Sequence, residues 1–180
     1  MPSLVSNLKA EGYSGNKAMH PFNPYNYNRP AVYKDFGFTD FIDKFDFPKN
    51  VKRVREYISD EANVDRIISE YEKNRKKTDQ PFYMYNMTIQ NHSPYDKDAA
   101  NFKQPIKIES SKYDAEANRY LNLIKYSDDS LKQLTGYFEK CKEPTIILFL
   151  GDHQPRLTDE FMNKITNGQY QTWSSEQMMK

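Results

Sequence analysis

Three histidines and one Gly-Asp-His tripeptide are the residues of this chain best suited to chemistry. His20 closes Lys17-Ala18-Met19, His92 closes the run Phe82–Asn91, and His153 closes Thr145–Asp152. Each of those stretches reads as a β-strand. If the strands lie parallel in one sheet, their carboxyl ends share an edge, and open α/β sheets bind ligands at that edge because the loops leaving it diverge. Three imidazoles and the Asp152 carboxylate gathered there predict a metal or anion site.

Gly151-Asp152-His153 is the sharpest local signal. Glycine lets the chain bend so that two adjacent side chains face one point. Carboxylate oxygen and imidazole nitrogen both suit a divalent metal such as Mn²⁺ or Zn²⁺. The tripeptide equally suits an Asx-type turn with a surface histidine. Tyr27-Asn28-Arg29 sets a planar cation beside an aromatic ring, and arginine binds phosphate or sulfate through two parallel hydrogen bonds. An ion pair at a helix start is the competing reading. His20 and His92 read, taken singly, as hydrogen-bonded loop residues; on one edge with His153 they become candidate substrate contacts. There is no glycine-rich phosphate loop, no His-Glu-x-x-His and no Ser/His/Asp set.

The elements that must position these residues follow from periodicity. Leu4, Val5 and Leu8 mark a helix over Ser3–Ala10, ended by Gly12. A short strand runs through Lys17–His20. Pro21, Pro24 and Pro30 make the next segment a loop, and Pro30 opens a helix over Ala31–Phe36. Phe38–Ile42 alternates as a short strand. Ser59 caps a helix from Asp60 to about Lys77 with Val64, Ile67, Ile68 and Tyr71 as its apolar stripe. The strand ending at His92 comes next, and Ser93–Ser111 is irregular. The longest helix spans Tyr113 to about Lys140, with Tyr120, Leu121, Ile124, Leu131, Leu134 and Phe138 expected to face inward. Asp128 and Asp129 interrupt that stripe and are given no catalytic role. Thr145–Leu150 is the most apolar strand. Alternating helices and strands predict an α/β fold, a mainly parallel sheet with helices on both faces.

Composition narrows the class. The chain has 180 residues and a net charge of +1, so no strong field favours nucleic acid or an anionic surface. Fourteen tyrosines and 11 phenylalanines supply ample apolar area and argue against disorder. The single cysteine, Cys141, excludes an internal disulfide and reads as an inert thiol. No signal peptide and no bilayer-spanning apolar run are present, so a soluble chain is expected. Its abrupt start in Pro2–Leu8 and its end at Gln177–Lys180 suggest a piece of a larger protein.

Several of these segments, in the same order, resemble the lipoteichoic acid synthase branch of the sulfatase/alkaline phosphatase superfamily. They are His20 with Tyr27-Asn28-Arg29, Val32–Asp43, Phe82–Tyr85 through Asn91-His92-Ser93-Pro94-Tyr95, and Tyr120 with Tyr126–Leu131 leading to Gly151-Asp152-His153. The likeness runs from about Leu4 to Arg156. It implies a partial alkaline-phosphatase-like (sulfatase) domain from a membrane-anchored enzyme on the extracellular face of the bacterial cell. Such enzymes transfer phosphoglycerol from phosphatidylglycerol to a polymer or glycan acceptor. It further implies that Asp152 and His153 bind the catalytic metal, with Mn²⁺ first and Zn²⁺ or Mg²⁺ also compatible. His20, Tyr27, Arg29 and His92 fall at substrate-side positions. Where the family carries tryptophan, this chain has Tyr27, which keeps an aromatic wall.

The family's threonine nucleophile and a glutamate metal ligand lie upstream of the matched region, and nothing before His20 resembles either. The nucleophile is therefore expected outside this chain. Residues 1–180 are read as a single incomplete domain, without its nucleophile-bearing N-terminal part or its C-terminal strands, and inactive in isolation. Membrane attachment would come from segments not present here. A sulfatase, a phosphodiesterase, a phosphoethanolamine transferase or a non-catalytic binding module for anionic glycans remain the alternatives at this point.

Overall fold

The computed structural model describes residues 2–109 and 114–174. The chain divides into two compact units, Met1–Gln90 and Asn91–Lys180.

The first unit is built on a three-stranded parallel sheet. Helix α1 (Leu4–Ala10) leads into β1 (Ser14–Met19); α2 (Arg29–Asp35) crosses to β2 (Asp40–Ile42). A two-stranded ribbon, β3 (Arg53–Val54) with β4 (Tyr57–Ile58), precedes α3 (Asp60–Arg75) and β5 (Phe82–Asn86). The spatial order is β2-β1-β5, so β1 is the central strand although it comes first.

Register decides which helix covers which face. Ala18 pairs with Phe41 and Tyr85, while Met19 pairs with Ile42 and Asn86. Adjacent strand residues point to opposite faces. On one face Tyr33 of α2 packs its ring on Phe41 at 4.9 Å and on Tyr85 at 6.0 Å. On the other, Met19 and Ile42 join Phe47, Ile58 and Ala62, with Val51, Ile67 and Met84 against them. The sheet thus carries helices on both faces, as the sequence predicts. The interior of β1 is not uniformly apolar. Lys17, beside Met19, is paired with Glu70 of α3 at 2.6 Å and with Asp40 of β2 at 3.4 Å. Glu70 also takes Arg66 at 3.0 Å and Lys73 at 2.9 Å.

Gly15 sits where the β1–β5 register shifts, at φ +59°. A Cβ there would lie 2.6 Å from Asn74 Oδ1 and 2.9 Å from the Phe82 ring, so only glycine fits both the backbone and the space.

The helix boundaries agree with the capping signals. Ser59 caps α3 by accepting from the Ala62 N–H, and Pro30 sits in the first turn of α2. The strand expected through Phe82–His92 stops at Asn86.

The second unit contains α4 (Ala115–Phe138) and α5 (Asp159–Ile165). Asp114 caps α4; Tyr113 lies outside the described residues. The inward face of α4 differs from the expected stripe. Ala117, Asn118, Asn122, Leu123 and Ser130 are buried, whereas Leu121 and Ile124 are exposed. The reason is a side-chain ladder. Asn118 Oδ1 accepts from Ile108 N at 3.0 Å, Asn122 holds both backbone groups of Ile106, and the Tyr126 hydroxyl meets Lys103 N at 3.2 Å. Polar side chains that replace a strand neighbour are buried without loss of hydrogen bonds.

The largest departure is Thr145–Leu150. It forms no strand, and Ile146 is 96% exposed, with Leu148, Phe149 and Leu150 also exposed. Apolar β-branched residues favour a strand only when a neighbour takes up their backbone groups. Among the described residues none does so.

Candidate functional site

In the first unit, the carboxyl end of β1 carries His20. The ladder continues past the strand: His20 N donates to Ile42 O at 2.9 Å, and Met87 N donates to Met19 O at 2.9 Å. The imidazole is 2% exposed and stands edge-on to Phe22. Its Nδ1 lies 3.0 Å from Met87 O. A carbonyl only accepts, so Nδ1 carries a proton.

Tyr27 and Arg29 come together as expected. The guanidinium lies 4.9 Å from the Tyr27 ring centroid, and Nη1 donates to Asn26 O at 3.1 Å. Tyr27 is 84% exposed. Both Tyr27 (φ 58°) and Asn28 (φ 51°) are left-handed. Asparagine tolerates that region; for tyrosine it costs on the order of 1–2 kcal/mol. Two left-handed residues in succession turn the chain into α2 so that Arg29 starts the helix. Burial raises the Tyr33 hydroxyl above its usual range, with Tyr85 adding to it and Arg29 opposing.

Downstream of β5 the chain is held by residues that the sequence did not single out. Gln90 is buried; its Oε1 accepts from Asp60 N at 3.0 Å, and its carbonyl accepts from Arg55 Nη2 at 2.7 Å. This fixes the end of the segment that leads to His92. The nearest sequence signal was the position of Asp60 in the first turn after Ser59.

His92, Asp152 and His153 belong to the second unit. His92 is exposed, just after the turn at Gln90-Asn91, with Nδ1 2.7 Å from Ser93 O. Asp152 and His153 are adjacent and exposed: His153 Nε2 lies 3.8 Å from Asp152 Oδ2, and Nδ1 lies 2.8 Å from Gln154 O. The Gln154 carbonyl makes Nδ1 the proton-bearing nitrogen. Nε2 is the nitrogen on the carboxylate side. Metal-bound histidines commonly fix their free nitrogen on a backbone carbonyl in this way. The pair therefore fits two places of a divalent-metal site in donor type. No group of three His, Cys, Asp or Glu able to hold an ion occurs among the described residues.

The structure thus brings together Tyr27 with Arg29 and Asp152 with His153. His20 ends a strand of the parallel sheet. His92 follows an irregular stretch and His153 an unpaired one, so neither closes a strand as expected.

No helix among the described residues is long and apolar enough to cross a membrane. Residues 1–179 match the Sulfatase family model. A Rhizobium meliloti protein, provisionally named a cyclic β-1,2-glucan modification protein, is 35% identical over 87% of this chain and 24% of its own length. The lipoteichoic acid synthase of Staphylococcus aureus is 26% identical over 85% of this chain and 23% of its own. Among solved structures, the Streptococcus pyogenes phosphoglycerol transferase GacH, in complex with sn-glycerol-1-phosphate, gives a TM-score of 0.65 at 25% identity. It covers 88% of this chain and 42% of its own. This chain spans about a quarter of the length of the curated relatives it matches. Its homologues are lipoteichoic acid synthases and phosphoglycerol transferases with the alkaline-phosphatase-like fold. The chain belongs to the Sulfatase family.

Proposed function

We propose that residues 1–180 are the central part of the catalytic domain of a metal-dependent phosphoglycerol transferase. The enzyme would sit on the extracellular face of a bacterial membrane, held there by segments outside this chain. Its donor is a phosphatidylglycerol-type phosphodiester and its acceptor a glycan or polymer hydroxyl. The observation that carries this reading is the Asp152–His153 pair, with Nδ1 of His153 fixed on Gln154 O and Nε2 on the carboxylate side.

Each residue has a role set by its chemistry. Asp152 and His153 hold the divalent cation, Mn²⁺ in the first instance; a bound cation lowers the pKa of a hydroxyl and offsets phosphoryl charge. Arg29 places its planar fork on two phosphoryl oxygens, where charge must be met in the transition state. The Tyr27 ring walls the glycerol. His92 presents its imidazole to the phosphoryl group, and His20, buried at the end of β1, reaches it only if the residues covering its ring move aside. The attacking hydroxyl is supplied from outside this chain. As its oxygen bonds phosphorus, the bond to diacylglycerol breaks, and the phosphoglycerol then passes to the acceptor.

The test is diacylglycerol release by the full-length protein from phosphatidylglycerol vesicles with Mn²⁺. Release supports the reading. Hydrolysis of an aryl sulfate with no release from phosphatidylglycerol would make it a sulfatase.

A further inference from the structure

The second unit holds an open cleft of about 480 Å³ whose role the phosphoryl chemistry does not explain. One wall is Ser93-Pro94-Tyr95, which follows His92 directly. The other is Arg156–Asp159, which begins three positions after His153. Glu116, in the first turn of α4, also lines it.

Both walls are tied to α4. The Thr158 hydroxyl donates to Asp114 Oδ2 at 3.1 Å, while Asp114 Oδ1 accepts from Ala117 N at 2.9 Å. Arg119 donates to Tyr95 O at 3.0 Å and to Asp98 Oδ1 at 2.8 Å. These bonds hold the cleft's width before any ligand arrives, which removes part of the ordering cost of binding.

The lining selects the ligand. Glu116 and Asp159 are acceptors with negative charge; Arg156 is a donor with positive charge. None of the three makes an ion pair with another described residue. Two carboxylates disfavour a phosphate, and the guanidinium disfavours a metal cation. A neutral polyol meets both signs, because each hydroxyl donates to a carboxylate and accepts from arginine. We infer that this cleft is a glycan subsite, taking the sugar hydroxyls of the acceptor beside the loops that carry His92 and His153. The inference rests on the transferase reading for the word acceptor, but the sugar-binding claim stands on the lining alone.

The test is saturation-transfer NMR on the full-length protein with a linear glucose tetrasaccharide as probe. Wild type binds it, and Arg156→Gln and Glu116→Gln each weaken binding by about tenfold, the loss of a charge-assisted hydrogen bond. Arg156→Lys, which keeps charge and loses the fork, weakens it less. Saturating glycerol phosphate does not displace the sugar. No binding by wild type, unchanged binding in both variants, or displacement by inorganic phosphate would overturn the subsite. Sugar binding without diacylglycerol release would instead refute the transferase reading and leave the subsite standing.

Discussion

The Asn122 side chain treats Ile106 as a strand neighbour would, accepting its N–H and donating to its carbonyl, both at 2.9 Å. Asn122 is fully buried and also donates to Asn118 O at 2.8 Å. Asn122→Leu keeps the volume and strands both Ile106 backbone groups. The expected loss is about 2–4 kcal/mol of unfolding free energy, read from urea midpoints. A change within about 0.5 kcal/mol would mean the segment is held elsewhere.

Glu70 gives a pH dependence with a definite sign. Burial raises its carboxyl, but hydrogen bonds from Lys17 and Lys73 and the charges of Lys17 and Arg66 outweigh that and hold it at about 2. Its folded pKa lies below the unfolded value, so its contribution is present above about pH 4.5 and is lost as pH falls toward 2. Urea midpoints measured down through that window should fall more steeply for wild type than for Glu70→Gln. Parallel curves would remove Glu70 from the account.

Gly15→Ala places a Cβ against Asn74 Oδ1 and the Phe82 ring at positive φ. The expected cost is about 1–3 kcal/mol, checked by thermal melts. A neutral result would show that the β1–β5 bulge relaxes freely.

Tyr27 separates stability from function. Tyr27→Gly relieves the left-handed strain and removes the ring above Arg29. The variant should be as stable as wild type or more stable by about 1 kcal/mol, with turnover of phosphatidylglycerol reduced. Arg29→Lys keeps the charge, loses the fork and should also slow turnover. Wild-type rates for Tyr27→Gly, Arg29→Lys and Arg29→Ala would make this corner structural only.

What the sequence revealed and what it concealed divide along physical lines. The Ser59 cap, Pro30 in the first turn of α2 and the parallel α/β architecture were legible because local signals and crossover order suffice for them. The Tyr27–Arg29 and Asp152–His153 contacts were legible because each pair is nearly adjacent in sequence. The α4 face was misread because hydrophobicity cannot anticipate Asn118 and Asn122 standing in for a strand. Thr145–Leu150 was misread because ladder formation depends on a partner that no single segment encodes. The contact between Arg55 and Gln90, polar and apart in sequence, was not legible.

The central claim is that Asp152 and His153 hold the metal of a phosphoglycerol transferase. The most direct measurement is Mn²⁺-dependent diacylglycerol release by the full-length protein, compared among wild type, Asp152→Ala and His153→Ala, with folding checked by circular dichroism. Each variant should retain its fold and lose at least about a hundredfold in rate, because each deletes a donor to the ion. Folded variants that release diacylglycerol at the wild-type rate, with an unchanged Mn²⁺ requirement, would contradict the assignment.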